Sequence, residues 1–446
     1  MHKFSSKASV SVLCAALGLA AAGCSQINTL KATMSRRRVL LLILLVVWWA
    51  GTVRAQAPVT DLKPTVILVS LDGWRWDYAQ KYSAPTLERI IKRGVSGPLI
   101  PSFPSKTFPN HYTIVTGLYP GHHGIVANAV EDPPTGRRLT MSNRKEVQDP
   151  MWWGGEPLWV TVQRAGQIAA PFFWPGSEAP IMGPRARFWE PFSEEFSASA
   201  RIARIFSWLD LPVAERPTFL TLYFSDVDGA GHDNGPNSPA VRQAVRRVDG
   251  YMDRLMRGLA SRRIEDRVNV VVVSDHGMSE SGTNRVVVLD DYVSAEGLDI
   301  IDLNPTLGIF PPAGREEEVY RALAGAHPRL KVFRKAETPP HWHYRDHPRI
   351  PPIVGVMDEG WQILRRATLS AQLSKGQTGP VGVHGYDPQT AISMRGIFVA
   401  AGPAFKKGVT VPPFENVHLY DALAAVLGVT PAPNDGDSSV GRSFLR

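Results

Sequence analysis

Three apolar runs in this chain end on aspartate: Thr65 to Leu71 before Asp72, Thr218 to Ser225 before Asp226 and Asp228, and Val268 to Ser274 before Asp275. Runs of this kind read as buried strands, and the helical patterns between them imply a parallel or mostly parallel sheet. In an open α/β sheet, ligands bind just beyond the carboxyl ends of parallel strands. Carboxylates placed at three such ends can converge on one point, where they repel one another unless cations lie between them. Two histidines follow closely, His232 four residues after Asp228 and His276 directly after Asp275. Carboxylate and imidazole together suit zinc or a similar ion, so the feature points to a metalloenzyme.

The spacing predicts a helix over Pro85 to Arg93 stopped by Gly94, and a short one over Thr107 to Thr116 closed by Gly117. Ser238 caps a third that opens on Pro239, with Val241, Ala244, Val245, Val248, Met252, Leu255 and Leu259 on one face. The texture changes after about residue 290. Residues 296–370 hold strand candidates at Gly308 to Phe310 and Lys331 to Phe333, a helix over Arg315 to Leu323, and a proline-rich stretch from Pro339 to Pro352. The expected organisation is a core of residues 58–295 and 371–446 with an inserted α+β subdomain at 296–370. A strand over Gly396 to Ala400 and a helix over Leu419 to Leu427 return the chain to α/β character.

Residues 1–57 read as an export leader. From Met34, the expected true start, Arg36-Arg37-Arg38 precedes the apolar run Val39 to Ala50 and then Ala55-Gln56-Ala57. That is the layout of a secretory signal peptide cleaved after Ala57, and it predicts a periplasmic or secreted protein. Gly23-Cys24 offers a lipoprotein site as the alternative, against which Ala21 stands where leucine is usual. Both cysteines, Cys14 and Cys24, lie in this leader, which leaves no thiol for a disulfide, a metal or catalysis in the mature chain. The formal charge of +8 is also a property of the leader: its seven basic residues and no acidic ones leave +1 for the rest. A nearly neutral protein gives no electrostatic case for binding nucleic-acid polymers or membranes.

The chemistry-bearing residues fall in separate segments. Asp72 stands at one strand end, Asp228 and His232 in a glycine-rich loop, Asp275 and His276 on one turn, and His384 in a glycine-flanked loop far downstream. Two divalent ions need about seven or eight protein ligands, and this inventory nearly supplies them. Thr107 is a candidate nucleophile. At the start of a helix, unpaired N–H groups and the helix dipole favour an anion, and an alkoxide there would be activated toward phosphorus. Its alternative role is to cap the helix, and Ser102 and Ser105 rival it by type.

Lys106-Thr107-Phe108-Pro109-Asn110-His111 and Ile114-Val115-Thr116-Gly117-Leu118-Tyr119-Pro120 resemble the nucleotide pyrophosphatase/phosphodiesterase family of the alkaline phosphatase superfamily. So do Trp152 to Trp159, Phe173 to Gly176, Ser274 to Met278 and Phe414 to Tyr420, in the expected order. The resemblance implies an alkaline-phosphatase-like α/β core, its central mostly parallel sheet flanked by helices, with two zinc ions. One ion would be held by Asp72, Thr107, Asp275 and His276, the other by Asp228, His232 and His384. Thr107 would attack a nucleotide diester or anhydride, giving a nucleotidyl-threonine that water hydrolyses. Asn128 matches the position that hydrogen-bonds a phosphate oxygen, and Phe108 and Tyr223 match those that sandwich the nucleobase. No arginine stands at the place used by monoesterases of the superfamily, which favours a diester. Small-molecule nucleotides are thus the expected substrates.

Rival readings are a choline-phosphodiester or lysophospholipid hydrolase, a phosphomonoesterase, and a binding protein that keeps the fold without turnover. The role of Asp226 is left open. His341, His343 and His347 lie in a stretch resembling another hydrolase motif, but its spacing is one residue too long. A structural or rim role is expected for them.

Overall fold

The computed structural model describes residues 59–446, so the leader, with Met34, both cysteines and the expected cleavage after Ala57, lies outside the described residues. The elements that matter run β1 (Val66–Leu71), α1 (Pro85–Arg93), β2 (Val95–Ile100), α2 (Thr107–Thr116), β3 (Phe219–Phe224), α3 (Asp226–Asn234), α4 (Pro239–Ser261), β4 (Asn269–Val273), β5 (Gly396–Ala401) and α5 (Leu419–Leu427).

The main sheet has eight strands, with β2, β5, β4, β1 and β3 side by side and short strands at both margins. β1 pairs in parallel with β3 and β4, and β5 runs antiparallel to both β4 and β2. The sheet is mostly parallel with one reversed strand inside it. Alternation along each strand explains how it is covered. Val66, Leu68, Val271 and Val273 face a core shared with Tyr112, Ile114 and Val115 of α2 and with α5. Ile67, Val69, Val270 and Val272 face a second core that takes the apolar stripe of α4. Every residue of β1, β3 and β4 is buried, which is why these strands carry no polar alternation.

Register fixes the site. Leu71 pairs with Phe224, and Ser70 with Val273, so the residues that follow each strand emerge side by side, with adjacent strands about 4.8 Å apart.

Residues 299–357 build a separate four-stranded antiparallel sheet, ordered Asp299–Leu303, Thr306–Phe310, Ile353–Met357, Leu330–Arg334. Sequence patterning anticipated two of these strands. Ile353–Met357 follows Pro351-Pro352 in a stretch that reads as loop, yet it is fully buried at the centre of this sheet. The prolines lie just outside the ladder, where a missing donor does no harm.

Candidate active site

The carboxyl ends of β1, β3 and β4 bring together every metal-ligand candidate expected from the sequence. Gly73 follows Asp72 with φ +66°, and a Cβ there would lie 2.8 Å from the Asp228 Cα. Only glycine allows both the left-handed turn and this approach of the β1 loop to α3. Asp228 and His232 were expected on a loop, but they occupy one face of α3, with His232 Nε2 3.4 Å from Asp228 Oδ1. Gly229 and Gly231 each disfavour a helix by about 1 kcal/mol. Packing outweighs that cost: strand Val381–Val383 lies so close that a Cβ on Gly382 would collide with the Gly231 carbonyl. The acids in the first turn also suit the positive end of the helix.

Three imidazoles share one arrangement. His232 Nδ1 donates to the Gly382 carbonyl, His276 Nδ1 to the Gly277 carbonyl and His384 Nδ1 to the Ser105 carbonyl, each at 2.9 Å. Because a carbonyl can only accept, each Nδ1 carries a proton, and in the neutral ring each Nε2 presents a bare lone pair. The Nε2 atoms of His232 and His384 face each other at 3.1 Å. Two lone pairs at that distance repel, and a shared cation removes the conflict.

The carboxylates make the same demand. Asp72 Oδ1, Asp228 Oδ1 and Asp275 Oδ2 are buried and accept no hydrogen bond. Burial, with the charges of Asp275 and Asp228 added, pushes the Asp72 carboxyl well above the usual range. Burial also raises Asp228. Burial opposes ionisation of Asp275 as well, but the His276 and His111 imidazoles hold its pKa below the usual range. Burial presses His384 well below an ordinary histidine. Bonds of about 2.0–2.2 Å in a tetrahedral site place ligand atoms about 3.3–3.6 Å apart. Asp228 Oδ1 lies 3.4 Å from His232 Nε2 and 3.9 Å from His384 Nε2. His276 Nε2 lies 3.0 Å from Asp275 Oδ2, 3.5 Å from Asp72 Oδ1 and 3.3 Å from Thr107 Oγ1. These residues fit a metal centre. Asp228 with His276 and His384, and Asp72 with His111 and Asp275, also group within 4.8 Å, so the cage is continuous.

Thr107 is the first residue of α2, and Lys106 occupies the cap position. The Thr107 hydroxyl therefore does not cap the helix; it points at His276. Its rivals are committed elsewhere and buried, Ser102 Oγ donating to Asn416 Oδ1 at 3.0 Å and Ser105 Oγ to the Tyr386 carbonyl at 2.7 Å. Asn128 Oδ1 accepts from the Phe108 N–H at 2.9 Å, which seats the amide against the first turn of α2. His111 was not singled out from the sequence. Its Nδ1 donates to the Thr107 carbonyl at 2.9 Å and its Nε2 accepts from Ser70 Oγ at 2.8 Å. With both nitrogens engaged it positions the turn that carries Thr107, and its place four residues on, on the same helix face, was the available signal.

Two cavities flank the cage. One of about 600 Å³ is lined by Thr107, Phe108, Phe173, Trp174, Phe192 and Tyr223. The other, of about 770 Å³, opens beyond His232 and His384. Tyr223 also has a task that its expected stacking role did not include: its hydroxyl donates to Asp72 Oδ2 at 2.5 Å. Asp226 stays outside the cage, accepting from the Tyr251 hydroxyl at 3.2 Å and lying 3.5 Å from Arg247 Nε. The three histidines of the proline-rich stretch also stand apart. His341 lies 3.1 Å from Asp387, His343 stacks on Tyr119 at 3.9 Å, and His347 Nδ1 accepts from the Arg349 N–H.

Residues 66–387 match the family model of type I phosphodiesterase / nucleotide pyrophosphatase. Human ectonucleotide pyrophosphatase/phosphodiesterase family member 5 is 36% identical over 373 residues, covering 83% of this chain and 76% of the relative. The mouse bis(5'-adenosyl)-triphosphatase is 36% identical over 388 residues, covering 86% and 81%. The solved structure of murine family member 5 superposes with a TM-score of 0.80 at 37% identity, covering 86% of this chain and all of that one. An inactive form of the murine protein, solved in complex with AMP, matches equally well.

Proposed function

This chain belongs to the type I phosphodiesterase / nucleotide pyrophosphatase family, hydrolases of phosphodiester and anhydride bonds, and from that premise we propose that it cleaves nucleotide diesters and anhydrides through a covalent nucleotidyl-threonine. The observation that carries this reading is the Thr107 hydroxyl at the start of α2, 3.3 Å from a bare imidazole nitrogen in a cage of unsatisfied carboxylates.

Asp72, Thr107, Asp275 and His276 would hold one zinc ion, and Asp228, His232 and His384 a second. Such ions supply positive charge that acidifies an alcohol and stabilises phosphoryl oxygens. The chain's own residues do the rest. Thr107 Oγ1 attacks phosphorus, and the bond to the leaving oxygen breaks on the opposite face. Water then cleaves the threonyl ester, releasing a nucleoside monophosphate and restoring the hydroxyl. Asn128, its Oδ1 engaged by Phe108, keeps Nδ2 to donate to a phosphoryl oxygen. Phe108 and Tyr223, both lining the aromatic cavity, supply faces for a nucleobase, and stacking of that kind tolerates several bases.

Charge supports a diester over a monoester. The lysine and arginine that line the two cavities, Lys106 and Arg144, are paired with Asp302 and Glu178. Neither is free to meet the extra charge of a monoester. The test is hydrolysis of nitrophenyl esters of thymidine monophosphate, phosphorylcholine and plain phosphate by the purified, zinc-loaded protein. The nucleotide ester should be preferred, with activity lost after chelation and cut about a thousandfold or more in Thr107→Ala. Preference for the phosphorylcholine ester would overturn the substrate class, and no turnover would overturn the enzyme.

A further inference from the structure

We infer that Arg201, which does not itself line the aromatic cavity, is its positioning residue: the guanidinium fixes the wall of rings on which a nucleobase would stack. The inference rests on the reading of that cavity given above and adds what holds it in shape.

The wall needs such a group. Residues 171–197, all of them described, form no helix or strand between strand Ala169–Ala170 and helix Ala198–Leu209. Yet this stretch supplies Phe173, Trp174, Glu178, Phe192 and Glu194 to the cavity lining. No ladder of backbone hydrogen bonds sets where those rings stand. Phe173 adds strain, because its backbone is left-handed at φ +55°. A bulky residue keeps that conformation only where its surroundings impose it.

Two buried charged residues impose the shape. From one side, Glu178 Oε1 accepts the Phe192 N–H at 3.0 Å and Glu178 Oε2 accepts from Gln148 Nε2 at 3.1 Å. From the other, Arg201 spreads its donors over three backbone carbonyls. Nε donates to Phe196 at 2.8 Å, Nη1 to Tyr223 at 2.8 Å and Nη2 to Ser193 at 3.3 Å. Tyr223 belongs to β3 and the other two to the irregular segment, so one planar group ties that segment to the sheet. The guanidinium carbon also lies 5.0 Å from the centre of the Phe173 ring and 6.0 Å from that of Phe192, within reach of a cation–π attraction. These rings pack on one another, Phe192 standing edge-on to Phe173 at 5.3 Å and to Tyr223 at 6.0 Å.

Arg201 is only 6% exposed, and among the described residues it pairs with no carboxylate. Asp226, the acid just beyond β3, faces Arg247 instead. Burying a charge without a counter-charge is unfavourable, so packing alone does not account for an arginine here. What arginine offers is geometry, a rigid fork of donors that meets several acceptors at once. Arg201 stands behind the wall and not in it, so its effect on a substrate passes through the rings.

The experiment compares kcat and KM of the zinc-loaded protein for two diesters with one leaving group. These are the nitrophenyl ester of thymidine monophosphate, and methyl nitrophenyl phosphate, which carries no base. Arg201→Met should raise KM for the nucleotide ester and cost it about tenfold more in kcat/KM than the methyl ester, the scale of one base–ring stack. Arg201→Lys keeps the charge without the fork and should share most of that rise. Equal losses on both esters in Arg201→Met, the result of a role in stability alone, would overturn this inference and leave the site intact. A wild-type KM in Arg201→Lys would overturn it too. Wild-type protein that does not prefer the nucleotide ester would overturn the reading of the cavity on which it rests. If Arg201→Met does not fold, Arg201→Lys decides.

Discussion

At the residue scale, the site is made by the fate of single nitrogens and oxygens. Three Nδ1 atoms are tied to carbonyls, so three Nε2 atoms are bare, and the carboxylate oxygens facing them accept nothing. The residues that gather in the cage were legible in the sequence because strand ends are easy to find and carboxylates and imidazoles are unusual there. His111 was not, because a histidine inside a helix declares no role until its neighbours are known. His123 shows the same limit and gives a pH test away from the cage. Its Nδ1 accepts from the Ile125 N–H at 3.1 Å, and its Nε2 donates to Thr113 Oγ1 at 3.0 Å. Burial, with His347 adding to it, presses its pKa down to about 3. The unfolded chain takes up this proton near pH 6.5 and the folded chain refuses it. The stability contributed is therefore complete above about pH 6.5 and is lost as pH falls toward 3, by up to about 1.4 kcal/mol per pH unit. Urea unfolding of the wild type and His123→Gln from pH 7 to 4.5 should show a shallower decline in the variant. Parallel declines would show that His123 contributes nothing to the loss of stability in acid.

At the scale of elements, helix existence was the most readable feature and helix content of α3 the least. α2 and α5 occupy the residues that the pattern marked, Thr107–Thr116 and Leu419–Leu427, because each runs to a glycine that stops it in the left-handed conformation. α3 reads as loop since its local sequence is rich in glycine, and the force that makes it a helix is tertiary: strand Val381–Val383 lies against Gly231. The seam does more than pack, because the Gly382 carbonyl orients His232. Gly382→Ala should push the strand off α3, lowering stability by about 1–3 kcal/mol and weakening zinc binding together with it. Calorimetric unfolding and zinc titration of the variant check both. Lost stability with unaltered zinc affinity would show that the seam packs without orienting the ligand.

At the scale of the whole molecule, the sheet gathers at one edge what the sequence scatters over more than three hundred residues, from Asp72 to His384. The inserted sheet was only half legible, because its central strand follows two prolines and its place beside the cage depends on long-range contacts such as Lys106 with Asp302. The antiparallel β5 inside an otherwise parallel sheet was likewise hidden, since strand direction leaves no mark on composition. We propose that this architecture serves two successive in-line displacements, the first by Thr107 and the second by water. The most direct measurement is the stereochemical course at phosphorus, using a nucleotide ester made chiral with sulfur and heavy oxygen and hydrolysed by the zinc-loaded protein. Each in-line displacement inverts the centre, so the threonyl intermediate gives overall retention. Overall inversion would mean that water attacks the substrate directly, and Thr107 would lose its role as nucleophile.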